Sequence, residues 1–174
     1  MIKAVRSALI LLIAFGLAAC QRAPGGATTV IIVRHAEKAS DAEDSPLTEV
    51  GTQRAQALVR AADHAGVHAV YSSQFKRNLD TAAPVAQRFG VTVTQMPVNL
   101  QNPGDYGQAL ARDILEKHAG RTVVVVGHAN TVGPTVEALT KRAARLGDIQ
   151  YTDLFVVVIP PEGEAQLIRA QYNP

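Results

Sequence analysis

Apolar positions along this chain fall into two kinds of run. The first kind is short, β-branched and without polar alternation: residues 30–33 (Val30-Ile31-Ile32-Val33) and 122–126 (Thr122-Val123-Val124-Val125-Val126). Such runs predict strands buried on both faces, as inside a parallel sheet. Shorter runs at 69–72 and 91–94 predict two further strands. The second kind repeats at helical spacing. Gly51, Ala55, Leu58, Val59 and Ala62 share one face of a helix that Thr48 can cap and Gly66 can end. Leu79, Ala82, Ala83, Ala86 and Phe89 share another, stopped by Gly90, with Pro84 expected to bend or restart it. Tyr106, Ala109, Leu110 and Ile114 predict a helix over 105–118 after a loop at 95–104. A fourth helix follows residue 128, capped by Asn130 or Thr131, with Pro134 in its first turn. Near the end, 154–159 and 165–170 flank Pro160-Pro161-Glu162-Gly163 and predict a hairpin. Strand and helix alternate before it, so the expected fold is a three-layer α/β/α sandwich, mostly parallel, with an antiparallel C-terminal strand.

The two longest strand runs end alike. Residues 30–33 lead into Arg34-His35-Ala36-Glu37, and 122–126 into Gly127-His128-Ala129-Asn130. Open α/β sheets place their ligands at the carboxyl ends of strands. Two buried strands each delivering a histidine there would set both imidazoles in one crevice.

Arg34-His35-Ala36-Glu37 resembles the R-H-G/A signature of the histidine phosphatase superfamily, whose fold is that of phosphoglycerate mutase. Further pieces resemble it in the family's order: Leu47-Thr48-Glu49-Val50-Gly51, then Tyr71-Ser72-Ser73-Gln74-Phe75-Lys76-Arg77 with Thr81-Ala82, then Gly127-His128. The resemblance spans roughly residues 28–140. It implies a phosphate pocket of Arg34, His35, Arg77 and His128, with His35 as nucleophile. It also implies a phosphatase that needs no cofactor or metal and acts on a phosphorylated small molecule or envelope component.

The residue types suit that chemistry. A phosphoryl group in flight spreads charge over its oxygens, and guanidiniums offer planar forks to them. Arg77 falls in the first turn of its predicted helix, where backbone amides also favour an anion. His35 must be neutral to attack, and two nearby guanidiniums disfavour its protonation. His128, if protonated, is a further donor, and Asn130 beside it belongs with the substrate-binding set. The proton donor is less legible. No glutamate lies between Glu49 and Glu116, so the family's usual acid has no counterpart. Glu37, two residues past the nucleophile, is the preferred candidate and Asp105, otherwise a helix cap, the second. His64, His68 and His118 read as ordinary surface residues.

Composition narrows the rest. The 174 residues suit one domain. Lys3 and Arg6 precede an apolar run at 8–19 that is too short to span a bilayer comfortably. It reads as a signal peptide over 1–19. Leu17-Ala18-Ala19-Cys20 resembles a bacterial lipoprotein signal, whose cysteine is lipidated. The expected organisation is therefore signal 1–19, tether 20–27 and catalytic domain 28–174. Gln21 is not the aspartate linked to inner-membrane retention, which points to the outer membrane's periplasmic face. Removing 1–19 leaves acidic and basic side chains balanced, which gives no support to nucleic-acid binding. His35-Ala36-Glu37 also fits the H-x-E of zinc deaminases, but the P-C-x-x-C partner is missing. The rival reading from another class is a lipid-anchored protein that binds a phosphorylated ligand without turnover. Neither the natural substrate nor the oligomeric state is readable.

Overall fold

The computed structural model describes residues 25–174. The expected leader, Cys20 and most of the tether lie outside the described residues. The chain runs β1 (Thr28–Arg34), α1 (Glu49–Ala62), β2 (Val67–Ser72), α2 (Lys76–Phe89), β3 (Val93–Gln95), α3 (Pro103–Lys117), β4 (Thr122–Gly127), α4 (Ala129–Thr140), β5 (Asp153–Ile159) and β6 (Gln166–Gln171). The strands form one sheet in the order β3-β2-β4-β1-β5-β6. Pairing is parallel from β3 through β1 and antiparallel at β1–β5 and β5–β6.

The unbroken apolar strands do fill two cores at once. Val30 and Ile32 of β1 and Val123 and Val125 of β4 pack with Leu110 and Ile114 of α3 and Val132 and Val136 of α4. Their neighbours Ile31, Val33, Val124 and Val126 pack on the other face with Ala57 and Leu58 of α1 and Ala82 and Val85 of α2. The period-2 geometry of a strand sends alternate residues to opposite faces, so a run with no polar position is what a central strand between two helical layers requires. The three-layer sandwich and the C-terminal hairpin match the sequence expectation.

Local departures have local causes. Pro84 does not restart α2, which is continuous from Lys76 to Phe89. The proline removes one backbone donor, while buried Ala82, Val85 and Ala86 hold the helix on the sheet. β3 starts at Val93 rather than 91, because Val91 N–H is still donating to Ala86 O beyond the left-handed Gly90. α3 starts at Pro103, before Asp105, with proline in the position that lacks a helical N–H partner anyway. α4 is capped by neither Asn130 nor Thr131: His128 is its N-cap residue, and Pro134 lies in its second turn.

Where the α3 and α4 backbones meet, Gly107 has no room for a side chain. A Cβ there would lie 2.7 Å from the carbonyl carbon and oxygen of Pro134. Gly104, one turn earlier, has nothing within 4 Å. Gly107→Ala is therefore expected to lower stability by about 1–3 kcal/mol through overpacking. Gly104→Ala is expected to be neutral or to add up to about 1 kcal/mol, since alanine is the better helix former. Urea midpoints of the two variants check the pair, and equal midpoints would contradict the packing.

Candidate active site

The site is built where β1 and β4 end. Arg34 lies opposite Gly127 in the parallel ladder, and the next amide, His35 N–H, donates to Gly127 O at 2.9 Å. His35 and His128 thus leave the sheet side by side, with ring centroids 5.5 Å apart in an edge-to-face arrangement. α2 is tied to the same point. Asn78 Nδ2 donates to Val126 O (3.1 Å) and Gly127 O (2.9 Å). Ala36 N–H donates to Thr81 Oγ1 (3.0 Å), whose hydroxyl donates to Arg77 O (2.7 Å). One helix therefore fixes the loop behind the first histidine, the end of the second strand, and Arg77.

His35 has a defined orientation. Its Nδ1 is 2.8 Å from Ala36 O. A carbonyl only accepts, so Nδ1 carries the proton and Nε2 presents a lone pair. Burial lowers its pKa to about 4; the Ala36 hydrogen bond opposes this, and Arg77, Arg34 and Lys38 add to the lowering. The neutrality expected from the two guanidiniums is present, but burial is its larger cause. His128 is also buried, with Nε2 2.9 Å from Ser73 Oγ and its ring edge-on to Phe75. Burial, followed by His35 and the two arginines, lowers its pKa to about 3. In the free protein His128 is neutral, not the cation the sequence reading entertained.

Arg34 and Arg77 frame the two rings. Arg34 Nη1 donates to Ile149 O at 3.0 Å, and its guanidinium lies over the Tyr151 ring, 4.0 Å from the centroid. Arg77, in the first turn of α2, donates from Nη1 to Glu43 O at 2.7 Å and lies over Phe75. The Nε of each is buried without a hydrogen-bond partner, and neither forms a salt bridge among the described residues. Two anchored guanidiniums with donors to spare, beside a neutral imidazole with a free lone pair, suit a phosphoryl dianion.

The candidate acids fare differently. The Glu37 carboxylate faces Arg54 of α1, which donates from Nε to both oxygens (2.9 Å each) and from Nη2 to Oε1 (2.6 Å). Arg54 also donates to Tyr172 O at 3.1 Å. Burial works to raise the Glu37 pKa, but the Arg54 hydrogen bonds and charge outweigh it and leave it lowered. Glu37 is thus an ionised structural residue and not a proton donor. Asp105 is exposed in the first turn of α3. Asn130 is exposed too, and its Nδ2 donates to Leu100 O at 3.0 Å, tying the 96–102 loop to the start of α4.

Two residues were missed. Ser73, fully buried against His128, lies within the second-arginine segment, where its residue type gives no role. Tyr151, beside both Arg34 and His35 (ring centroids 5.9 Å), sits in an aperiodic loop that carried no signal. His118 is also not an ordinary surface residue: its Nε2 is 3.0 Å from Tyr71 Oη, which donates to Asp113 at 2.6 Å. Among the described residues no group of three or more His, Cys, Asp or Glu side chains is placed to hold a metal ion.

At the carboxyl end of a doubly covered sheet, neutral His35 thus lies beside two guanidiniums that form no salt bridge among the described residues. Residues 30–98 match the family model described as "Histidine phosphatase superfamily (branch 1)". Solved structures share the fold. A mycobacterial glucosyl-3-phosphoglycerate phosphatase is 16% identical with a TM-score of 0.67, covering 84% of this chain and 99% of its own. A phosphoserine phosphatase from Entamoeba histolytica in complex with 3-phosphoglyceric acid is 18% identical with a TM-score of 0.63, covering 84% and 97%. At such identities the likeness is one of fold. No curated protein sequence matches the chain. Residues 30–98 thus carry the sequence match to that superfamily, and the chain as a whole shares the fold of these solved phosphatases.

The buried histidines bear on stability. Both imidazoles are held neutral in the fold but protonate in the unfolded chain near the ordinary value of about 6.5. Between there and about pH 4 the unfolded state binds more protons, so their contribution, complete above about pH 6.5, is lost as pH falls. Urea midpoints measured from pH 7 to 5 are expected to fall, and His128→Asn is expected to flatten that slope. An unchanged slope would contradict the neutral, buried state.

Proposed function

We propose that this chain is a phosphatase that hydrolyses phosphate monoesters through a phosphohistidine at His35. The observation that carries the reading is the fixed Nδ1 of His35, which leaves Nε2 as a free nucleophile between two unpaired guanidiniums. Arg34 and Arg77 bind the phosphoryl oxygens and stabilise the charge that spreads over them in transfer. His128, held by Ser73, lies against the same group, and a bound dianion would favour its protonated, donating form. Water then attacks the phosphohistidine and releases inorganic phosphate. Relatives in fold act on glucosyl-3-phosphoglycerate and phosphoserine, by their names, so a small polar phosphate monoester is the substrate class proposed.

Location is part of the proposal. The apolar run before Cys20 supports a leader and a lipidated cysteine at the cell envelope, with the domain facing the periplasm from the outer membrane. Among the described residues no helix is long and apolar enough to cross a membrane. A phospho-ligand-binding protein remains the second reading. It is favoured by one finding: Glu37 is committed to Arg54.

Labelled phosphate monoester quenched under base is expected to yield a base-stable, acid-labile phosphoenzyme. His35→Ala abolishes it and lowers turnover by several orders of magnitude. Arg77→Ala costs about 10²–10³-fold, as does losing a transition-state donor elsewhere. Tight phosphate binding without turnover or phosphoenzyme would establish the binding reading instead.

The anchor has its own test. Palmitate labelling in a bacterial host is expected to mark the wild-type chain and not Cys20→Ser. Equal labelling of both would remove Cys20 from the role.

A further inference from the structure

Transfer from an alcohol leaves an alkoxide, which needs a proton as the P–O bond breaks. Each titratable side chain near the crevice can be weighed for that task. Glu37 is ionised and committed to Arg54. Glu43 and Asp44 act on the charge of Arg77, but both are exposed, and Glu43 reaches Arg77 through its main-chain carbonyl. His128, which a bound dianion would protonate, is held by Ser73 among the groups that face the phosphoryl oxygens. Lys38 is paired with Asp41 at 2.7 Å. Asp105 is exposed on α3.

Tyr151 differs from all of these. It is half-buried, its ring is 5.9 Å from the His35 ring, and its face carries the Arg34 guanidinium at 4.0 Å. Its hydroxyl makes no hydrogen bond to another described residue, although the Tyr71 hydroxyl does. The loop that places it is also anchored to the site, through Ile149 O on Arg34. A tyrosine hydroxyl can donate its proton to an oxygen beside it.

We propose that Tyr151 is the proton donor to the leaving oxygen, a role that rests on the phosphatase reading. In the first half-reaction the His35 Nε2 lone pair forms the P–N bond. The P–O bond electrons go to the alcohol oxygen, which takes the phenol proton and departs. In the second, the Tyr151 phenolate regains its proton from solvent, and water attacks phosphorus and leaves with both its protons on the phosphate product. The P–N electrons return to Nε2, and inorganic phosphate leaves. The site therefore selects esters whose leaving oxygen reaches past the Arg34–Tyr151 stack, and it needs no carboxylate acid.

The test is Tyr151→Phe, which keeps the ring over Arg34 and removes only the hydroxyl. Wild type and variant are compared on p-nitrophenyl phosphate, whose leaving group needs no acid, and on an alkyl phosphate such as phosphoserine. Turnover of the alkyl ester is expected to fall about 10²-fold or more. Turnover of the aryl ester is expected to change less than about threefold, which also reports an intact fold. Tyr151→Leu removes the stack as well and is expected to slow both esters. Equal loss on both esters in Tyr151→Phe makes Tyr151 a positioning residue and overturns the assignment, as does no loss on either. A wild type that turns over neither ester overturns the phosphatase reading and this inference together.

Discussion

The site depends on one register. β1 and β4 lie side by side in parallel with Arg34 opposite Gly127, so both strands run out at the same level. Slipping one residue would turn His35 toward the wrong helical layer and reverse which apolar residues face each core. The register is held by buried apolar residues on both faces and by the Asn78 side chain, which bridges the last two carbonyls of β4 to α2. Gly127 allows the close turn that follows, since a Cβ there would lie 2.9 Å from Thr131 Oγ1, the oxygen that accepts from His128 N–H.

From that register follows the charge state. The histidines are delivered into a place that is buried before any ligand arrives, and burial alone works against protonating either. The guanidiniums then carry the positive charge of the site by themselves, because arginine stays protonated where histidine does not. They are kept from collapsing onto carboxylates by contacts that cost no charge: Ile149 O and the Tyr151 face for Arg34, Glu43 O and the Phe75 face for Arg77. Carbonyls and aromatic rings orient a cation without neutralising it, which leaves its field for an anion.

Much of this was legible in the chain. The runs at 30–33 and 122–126 could only be central strands, and Arg-His and Gly-His at their ends could only emerge at one edge. Thr48 was readable as a cap, and its side chain does accept from Gly51 N–H. Glu37 departs from its expected role because closeness in sequence does not set direction. Past a strand end the backbone turns, and Glu37 points to α1, where Arg54 lies seventeen residues on. His128 as a helix cap was hidden because histidine is not among the preferred capping residues. Tyr151 could not be found from pattern, because the loop before β5 has neither period and is placed by β5 pairing with β1 and by Ile149 O on Arg34.

The site is built from two parts of the chain. The family match covers residues 30–98 and so includes Arg34, His35 and Arg77. His128, Ile149 and Tyr151 lie beyond it and reach the site through the sheet, by β4 on one side of β1 and β5 on the other. The matched half carries His35 and the two guanidiniums. The other half, which shares the fold and lies outside the family match, brings His128 and Tyr151 beside them. Differences in substrate among proteins of this fold are therefore expected to lie in the segments that close over β1 from β4 and β5, while the strand end that carries Arg34 and His35 stays the same.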